Sequence, residues 1–349
     1  MTAPPVTAPP AELPLLGIRA HGGIDPQRCA ALARAAETNG FASMWFAENP
    51  FERGIFPLIS ACLLATRRIR AGIGIVNPYT RHPAQIAMEY AALDEIAPGR
   101  TLLGIGSGIG AQIERLGFRY RPVAAMEDAM QIVRGLLRGE TVHYRGTVFS
   151  ADGVALRFDL PRQHVPIYMA SMGDRSLALC GRIADGLIIS NMCPLGYAQR
   201  AVGIAGEAAQ QAGRPLPDVV QYVPCVARPD RAEARNVAKT EIGAMLARFW
   251  PIGDDWPPVR ETIVRHSGIS KAEVVAALDR LRRGEPAAAL LDDRFVDAFA
   301  IAGTAADCLA AAARYRHAGV NELVLTFAGG QAEADMAYLK PTETADECQ

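Results

Sequence analysis

Polar and titratable side chains follow several short β-branched or apolar runs of the sequence, at the points where those runs end. His21 follows the first run, Glu48 and Asn49 follow the second, and Asn77 follows the third. In a barrel of parallel strands, the carboxyl ends of the strands meet on one face, so we expect these side chains to lie together. A carboxylate or imidazole in a partly desolvated site can serve as a general acid or base. Glu48, His21 and the adjoining Asn49 are therefore the candidate catalytic residues.

Glu48 and His21 also have a structural interpretation. Glu48 could orient the loop that follows its strand, and His21 could simply face solvent, which is the commoner situation for a single residue of either type. Both interpretations stay open at the level of sequence.

A glycine-rich run follows the fourth strand, at residues 104–110, and contains Ser107 and Gly108. Its spacing partly matches a dinucleotide-binding fingerprint, but no acidic residue closes a following strand about 20 residues later. A Rossmann-type turn is therefore disfavoured. The alternatives are a tight turn, or a backbone that lies close to a flat ring system.

A second turn of small residues, Ser171-Met172-Gly173, precedes a predicted helix. The N–H groups of a helix N-terminus can bind a phosphate. Helix capping by Ser171 or Asp174 explains the same residues equally well.

Motifs of several other chemistries are missing from the sequence. There is no H-E-x-x-H, no G-x-S-x-G and no EF-hand loop. The 7 cysteines are scattered with no C-x-x-C pair, which is typical of reduced, buried thiols. We therefore predict neither a metal site nor serine-hydrolase chemistry.

The composition is typical of a soluble globular protein. The chain has 349 residues, of which 50% are hydrophobic and 21% charged, and its net charge is -1. Without a basic patch, a nucleic-acid partner is not expected. Without an apolar run of about 18 residues, a membrane span is not expected. These features predict a cytoplasmic protein with neither a nucleic-acid nor a membrane partner.

Short apolar runs alternate with Ala-rich segments of helical period, as expected for parallel strands joined by helices. Asp25-Pro26 and Asn39-Gly40 mark the two ends of the first helix. Residues 144–149 and 154–158 predict a small inserted hairpin. The chain is thus predicted to be an α/β protein, a (β/α)₈ TIM barrel with insertions, although a doubly wound open sheet shares this alternation. The eight predicted strands are residues 13–19, 43–47, 69–76, 101–105, 167–170, 186–190, 219–227 and 322–327.

The domain prediction follows from these elements. Residues 13–335 form one barrel domain, with an insertion or lid at about residues 250–298, where Trp-Pro, Pro-Pro and Asp-Asp pairs interrupt the pattern. Residues 1–12 are rich in Pro, Ala and Thr and lack the features of a secretory signal, so we predict a disordered tail. Residues 336–349 are predicted to be a C-terminal tail.

Several blocks of sequence, taken in order, resemble the luciferase-like flavin- and deazaflavin-dependent oxidoreductases, and the likeness covers nearly the whole chain. The stretch Asn77-Pro-Tyr-Thr-Arg-His-Pro83 most resembles the branch related to methylenetetrahydromethanopterin reductase, which uses coenzyme F420. The resemblance implies the luciferase-like barrel, a deazaflavin cofactor and a homodimer. The blocks are residues 40–48, 68–83, 92–100, 103–108, 166–173 and 183–187.

The resemblance also implies positions for the cofactor. In the deazaflavin branch a bulge in strand three, with a non-proline cis peptide, lies behind the ring, and the corresponding bond here joins Gly74 and Ile75. Asn77 belongs to the same block. Ser107 and Gly108 would line the other side of the ring. The cofactor phosphate would meet the turn formed by residues 171–173.

The sequence departs from these relatives at the catalytic positions. Some of them carry an acidic residue and a histidine after strand two, where this chain has Glu48 and Asn49. The glutamate that they carry after strand four corresponds to about Ile109. Their catalytic acid, and with it their substrate, cannot be transferred to this chain.

The leading functional hypothesis is hydride transfer between reduced F420 and a small organic electrophile such as an imine, enone or carbonyl. Glu48 or His21 would supply the proton. One alternative is a monooxygenase that uses reduced FMN and dioxygen in the same barrel mouth. A second is a flavin-binding protein without turnover, since a fold does not guarantee a competent site.

Overall fold

Parallel strands close into a barrel in the computed structural model, which describes residues 12–21, 23–49, 51–251, 253 and 255–341. The strands are β1 Leu15–His21, β2 Ser43–Ala47, β3 Arg70–Val76, β4 Thr101–Ile105, β5 Val142–Arg145, β6 Ser150–Val154, β7 Ile167–Ala170, β8 Gly186–Ile189, β9 Asp218–Ala227, β10 Ile301–Gly303 and β11 Glu322–Phe327. The ring is β1-β2-β3-β4-β7-β8-β9-β11, and β11 pairs with β1 to close it. This closure confirms the predicted barrel over the open sheet.

Helices surround the barrel. Those within the described residues are α1 Pro26–Thr38, α2 Ile55–Ala65, α3 Pro83–Ile96, α4 Gly110–Glu114, α5 Pro122–Leu137, α6 Asp174–Ile183, α7 Leu195–Gln211, α8 Arg231–Phe249, α9 Pro258–Arg265, α10 Lys271–Arg282, α11 Ala287–Leu290, α12 Asp293–Phe299, α13 Ala305–His317 and α14 Ala332–Leu339. None of these helices is long and apolar enough to cross a membrane. The predicted capping of α1 is present, since the Asp25 side chain accepts a hydrogen bond from the amide of Arg28 at 2.9 Å.

Side chains alternate between the two faces of each strand, so the barrel separates two apolar clusters. Ile18 and Ala20 of β1 belong to the large cluster that packs between the barrel and its helices. Trp45 and Tyr222 belong to a smaller cluster inside the barrel. Trp45 fills the space beside Gly72, where an added Cβ would lie 2.3 Å from the indole.

A buried carboxylate closes the amino end of the barrel. Glu322, at the start of β11, accepts hydrogen bonds from Trp45 Nε1 at 2.7 Å, from Arg70 Nη2 at 2.8 Å and from the Ser43 hydroxyl. Burial raises the pKa of Glu322, and the charge of Arg70 opposes that rise. This network joins β11 to β2 and β3 at the end of the barrel opposite the strand-end side chains.

Replacement of Glu322 by leucine is expected to destabilise the fold by about 3–5 kcal/mol, because it leaves the charge of Arg70 and two further donors without their acceptor. Urea unfolding measures the change. The matched control is Glu333→Leu, which removes the more exposed ion pair with Arg28 and should cost about 1 kcal/mol or less. Equal losses in the two variants would contradict the role given to Glu322.

The inserted hairpin lies earlier in the chain than predicted. Its strands are Val142–Arg145 and Ser150–Val154, not residues 144–149 and 154–158. The carboxylate of Asp128, on α5, accepts hydrogen bonds from the amides of Val148 at 2.6 Å and Phe149 at 3.1 Å. The prediction was wrong because this contact with a distant helix makes residues 146–149 a turn, whereas their composition resembles a strand.

Short helices occupy the region between α8 and β10, at the place where the sequence predicted an insertion. Helices α9 to α12 occupy it, and the short strand β10 then pairs with the end of β9. At the other boundary, α14 extends to Leu339 and buries Met336 and Leu339, so ordered structure continues beyond residue 335. The predicted tails fall mostly outside the described residues, at 1–11 and 342–349.

Candidate active site

A cavity of about 1680 Å³ lies at the carboxyl ends of the barrel strands. His21 is not among the described residues that line it. Residues of the insertion form part of its wall, including Trp250, Pro258 and Arg260. The other predicted site residues all line the cavity: Glu48, Asn49, Gly74, Ile75, Asn77, Ser107, Gly108, Ser171, Met172 and Gly173.

A bulge in β3 forms one wall of the cavity. The peptide bond between Gly74 and Ile75 is cis, as the resemblance implied, and the pairing of β3 with β4 shifts register between Ile73 and Val76. The Gly74 carbonyl accepts a hydrogen bond from the Tyr222 hydroxyl at 3.1 Å. A Cβ at Gly74 would lie 1.7 Å from that hydroxyl oxygen, so the wall has no room for a side chain there.

The loop after β4 lies beside this bulge and is tied to the loop after β3. Asn77 Nδ2 donates a hydrogen bond to the Ser107 carbonyl at 3.2 Å, and Asn77 Oδ1 accepts one from the Tyr79 amide at 2.8 Å. Gly108 has a φ of 70°, and a Cβ there would lie 2.2 Å from Asn77 Nδ2. The position therefore requires glycine both for its backbone conformation and for the close approach of Asn77.

The turn before α6 leaves polar groups without partners. Ser171 is 3% exposed, and its hydroxyl has no hydrogen-bond partner among the described residues. Gly173 is the N-cap of α6 and supplies no side-chain cap. Asp174 pairs with Arg200, and this hydrogen bond lowers its pKa. The orphaned hydroxyl and the uncapped helix N-terminus fit the phosphate group of a cofactor.

Glu48 belongs to a chain of charges that also lines the cavity. Its carboxylate pairs with the Arg81 guanidinium, and Arg81 Nε lies 3.0 Å from Glu89 Oε2. The side chains of Glu48 and Arg81 are 13% and 19% exposed, so both are partly desolvated. The Arg81 guanidinium also lies over the ring of Phe56, 5.3 Å from its centroid. Arg81 therefore fixes the orientation of the Glu48 carboxylate.

His21 and Asn49 converge on Glu52 instead of on Glu48. The His21 Nδ1 atom accepts a hydrogen bond from the Gly23 amide at 2.9 Å and lies 3.5 Å from Glu52 Oε2. Asn49 Nδ2 donates to the same oxygen at 3.0 Å, and this hydrogen bond lowers the pKa of Glu52. The structure thus places the predicted catalytic residues in two groups, and His21 is not among the described residues that line the cavity.

Several residues of the cavity were missed at the level of sequence. Arg19 and Tyr222 lie within β1 and β9, and the rule that selected residues after strand ends passes over them. Arg81 was noted only as part of the segment after strand three, and its two carboxylate partners come from other elements. A charged residue inside an otherwise apolar strand, as at Arg19, was a signal that could have been used.

Metal and thiol chemistry find no support in the part of the chain that the structure describes. No group of three or more His, Cys, Asp or Glu side chains there could hold a metal ion. The cysteines in that part are buried and free of disulfides. Burial raises the pKa of Cys193, a neighbour of the site, to about 12, so its reactive thiolate form is disfavoured.

The family model of the luciferase-like monooxygenases matches residues 13–322. The chain belongs to this family. Among the curated relatives of this luciferase-like protein is the 5,10-methylenetetrahydromethanopterin reductase of Archaeoglobus fulgidus, which is 30% identical over 83% of this chain and 86% of the relative. The F420-dependent glucose-6-phosphate dehydrogenase of Nakamurella multipartita is 29% identical over 64% of this chain and 69% of the relative.

Solved structures support the same fold for this luciferase-like protein. The coenzyme F420-dependent tetrahydromethanopterin reductase from Methanopyrus kandleri superposes with a TM-score of 0.83, covering 95% of this chain and 98% of that chain at 24% identity. The predicted recognition of the family and of its barrel is confirmed.

Proposed function

We propose that this luciferase-like enzyme transfers a hydride between coenzyme F420 and a small organic electrophile. The observation that carries the proposal is a single cavity that joins the β3 bulge at Gly74 to the orphaned hydroxyl of Ser171. A flat ring needs a wall without side chains, and a phosphate needs unpaired donors. The relatives that are named as F420-dependent support this choice of cofactor over FMN.

The proposed cofactor site uses both walls of the cavity. Gly74 and Ile75 would contact one face of the ring, with Asn77 holding the loop of Ser107 and Gly108 at its other side. Ser171, Met172 and Gly173 would bind the phosphate, and the Tyr197 hydroxyl already fixes this turn by donating to the Met172 carbonyl. The proposed cofactor-binding residues are thus Gly74, Ile75, Asn77, Ser107, Gly108, Ser171, Met172 and Gly173.

Reduced F420 supplies a hydride when it is bound, and the protein supplies position, a proton and a dry site. We assign the proton to Glu48, because its carboxylate lines the cavity and its orientation is fixed by Arg81. Asn49 would hold the loop after β2 through Glu52. The apolar wall that Trp250 contributes would exclude water from the reacting groups.

The proposal is tested by measuring cofactor binding and turnover with the same protein. F420 and FMN are titrated in parallel by fluorescence quenching, and we expect F420 to bind at least about tenfold more tightly. Reduced F420 is then mixed anaerobically with acetone, cyclohexenone or a cyclic imine, and its oxidation is followed by absorbance. A preference for FMN with oxygen-dependent turnover would establish the monooxygenase instead. Binding of F420 without oxidation by any compound would favour the non-catalytic flavin-binding protein.

The Ser171→Ala variant tests the phosphate site directly. We expect its affinity for F420 to fall about fivefold to tenfold, since one hydrogen bond to a charged group is lost. Its affinity for the deazaflavin fragment that lacks the phosphate should not change. Ser176→Ala is the matched control, because the Ser176 hydroxyl already donates to the Gly173 carbonyl at 2.9 Å. Equal weakening for both ligands would contradict the assignment.

We also propose that the enzyme is a homodimer in the cytoplasm. Leu64 of α2 is 76% exposed, and Met88 and Ile96 of the neighbouring α3 are 46% and 39% exposed. Large apolar side chains on adjacent helices are typical of a protein interface. Light scattering coupled to size exclusion measures the mass, and a monomer at micromolar concentration would contradict the dimer.

A further inference from the structure

An arginine inside the barrel lines the floor of the cavity. Arg19 lies in β1 between Ile18 and Ala20, whose side chains pack outward against the helices. Because side chains alternate along a strand, Arg19 faces the interior. Its guanidinium carbon lies 5.5 Å from the centroid of the Tyr222 ring, which belongs to the cluster inside the barrel.

Apart from its contact with the Tyr222 ring, the Arg19 guanidinium forms no ion pair with the residues that the structure describes. Its Nε atom is buried without a hydrogen bond, and no carboxylate there forms an ion pair with it. Burial lowers the pKa of Arg19, while Tyr222, Glu241 and Glu52 oppose that effect. An arginine stays protonated even so. A partly desolvated charge without an ion pair is costly, so its presence in a cavity points to a ligand that neutralises it.

Four other arginines are among the described residues that line the cavity: Arg81, Arg175, Arg248 and Arg260. Arg81 is neutralised by Glu48 and Glu89. Arg260 lies over the ring of Trp250, 5.1 Å from its centroid, and Arg248 lies over Phe249 at the same distance. Arg175, beside the turn assigned to the phosphate, and Arg248 are both exposed, whereas the Arg19 Nε atom is buried without a hydrogen bond. Arg19 is therefore the arginine inside the barrel on which an anionic ligand would gain most.

The location of Arg19 relates it to the reacting centre. Its neighbour Tyr222 donates to the carbonyl of Gly74, in the bulge that would lie behind the cofactor ring. A group bound to Arg19 would thus lie close to the ring, where hydride transfer requires reacting atoms about 3–3.5 Å apart. A single guanidinium matches a carboxylate in charge and in its paired donors, whereas the turn at Ser171 already provides for a phosphate.

We propose that Arg19 binds the carboxylate of the substrate, so that the electrophile is an oxo acid, an unsaturated acid or an imino acid. This inference rests on the proposed function. The C=O, C=C or C=N carbon of the substrate accepts the hydride as the cofactor is oxidised, and the adjacent atom accepts the proton from Glu48. Arg19 would determine specificity for acids over neutral compounds of similar shape.

Benzoate and benzamide form a probe pair that differs in charge but little in shape. Binding of each to the F420-loaded enzyme is measured by the change in cofactor fluorescence. We expect benzoate to bind at least about tenfold more tightly than benzamide. Arg19→Gln should remove this preference, and Arg19→Lys should retain part of it. A preference that survives in Arg19→Gln, or that is lost in Arg248→Gln instead, would overturn the proposal.

Two further readouts separate this proposal from its alternatives. The F420 affinity of Arg19→Gln should stay within about twofold of the wild-type value. If it falls instead while the benzoate preference persists, Arg19 contacts the cofactor and the proposal is wrong. Arg19→Met should unfold at the wild-type temperature or above, because it removes a partly desolvated charge that has no ion pair. A marked loss of stability would reveal a structural role for Arg19 and would overturn the proposal.

Failure of the proposed function has a different signature. If F420 does not bind to the wild-type enzyme, the proposed function fails. The benzoate preference is then measured without cofactor, by the rise in unfolding temperature that each probe causes. If the wild-type enzyme prefers benzoate to benzamide and Arg19→Gln does not, the anion site at Arg19 is supported. If the wild-type enzyme does not distinguish the two probes, the anion site is excluded.

Discussion

Replacement of Gly74 by alanine is expected to lower the affinity for F420 by about 100-fold or more. The added Cβ would lie 1.7 Å from the Tyr222 hydroxyl oxygen and 3.0 Å from Trp45 Cε3. Trp45 is fully buried and Tyr222 is 4% exposed, so neither ring has free space to enter. The tyrosine must move, its hydrogen bond to the Gly74 carbonyl is lost, and the wall proposed to lie behind the cofactor ring changes shape. Fluorescence titration measures the affinity.

A second substitution tests this explanation of the Gly74→Ala effect. Adding Tyr222→Phe removes the oxygen at 1.7 Å and leaves the ring carbon Cζ at 3.0 Å, so the double variant should recover about tenfold in affinity. The matched control is Gly203→Ala on α7, where a Cβ meets nothing within 4 Å. Gly203→Ala should bind F420 normally. Normal binding by Gly74→Ala would contradict the proposed position of the ring.

Replacement of Glu48 by glutamine is expected to lower kcat by about 10²–10⁴-fold, the range that general acid–base catalysis contributes. Glutamine keeps the size of the side chain and an acceptor for Arg81, but it cannot hold the proton. The affinity for F420 should therefore stay near the wild-type value. Steady-state kinetics with reduced F420 under anaerobic conditions measures kcat and KM separately.

Two controls distinguish a proton carrier from a structural carboxylate. Glu89→Gln alters the other partner of Arg81 and should lower kcat by less than about tenfold. His21→Gln should have a similarly small effect, since His21 bonds to the Gly23 amide instead of lining the cavity. If His21→Gln gives the larger loss, the proton passes through His21 and the assignment to Glu48 is wrong.

The fold could be predicted from the sequence where the local sequence signals agree with the tertiary structure. The first helix was predicted from Asp25-Pro26 and Asn39-Gly40, and it spans Pro26–Thr38. Parallel strands that are buried on both faces have continuous apolar runs, and for this reason β2 and β4 could be predicted from the sequence. The predicted position of the hairpin was wrong because its turn depends on Asp128, a residue of another element. The local sequence of the hairpin gives no sign of that contact.

A smaller part of the candidate site than of the fold could be predicted from the sequence. Residues after strand ends could be selected because barrel geometry brings them to one face, and most of them do line the cavity. Their roles in binding stay predictions. The pairing of Glu48 with Arg81 was not visible, since it depends on how side chains meet across elements. The position of His21 was not visible either: its Nδ1 atom accepts a hydrogen bond from the Gly23 amide, and the residue does not line the cavity.

The division of the cavity wall has an evolutionary consequence. The loops after β3, β4 and β7 form the part that we assign to the cofactor, and residues of the insertion, such as Trp250 and Arg260, form another part. Because these parts come from separate stretches of the chain, mutations in the insertion can accumulate while the cofactor contacts are inherited unchanged. Descendants of one ancestral gene can therefore acquire new substrates without having to reinvent their redox chemistry.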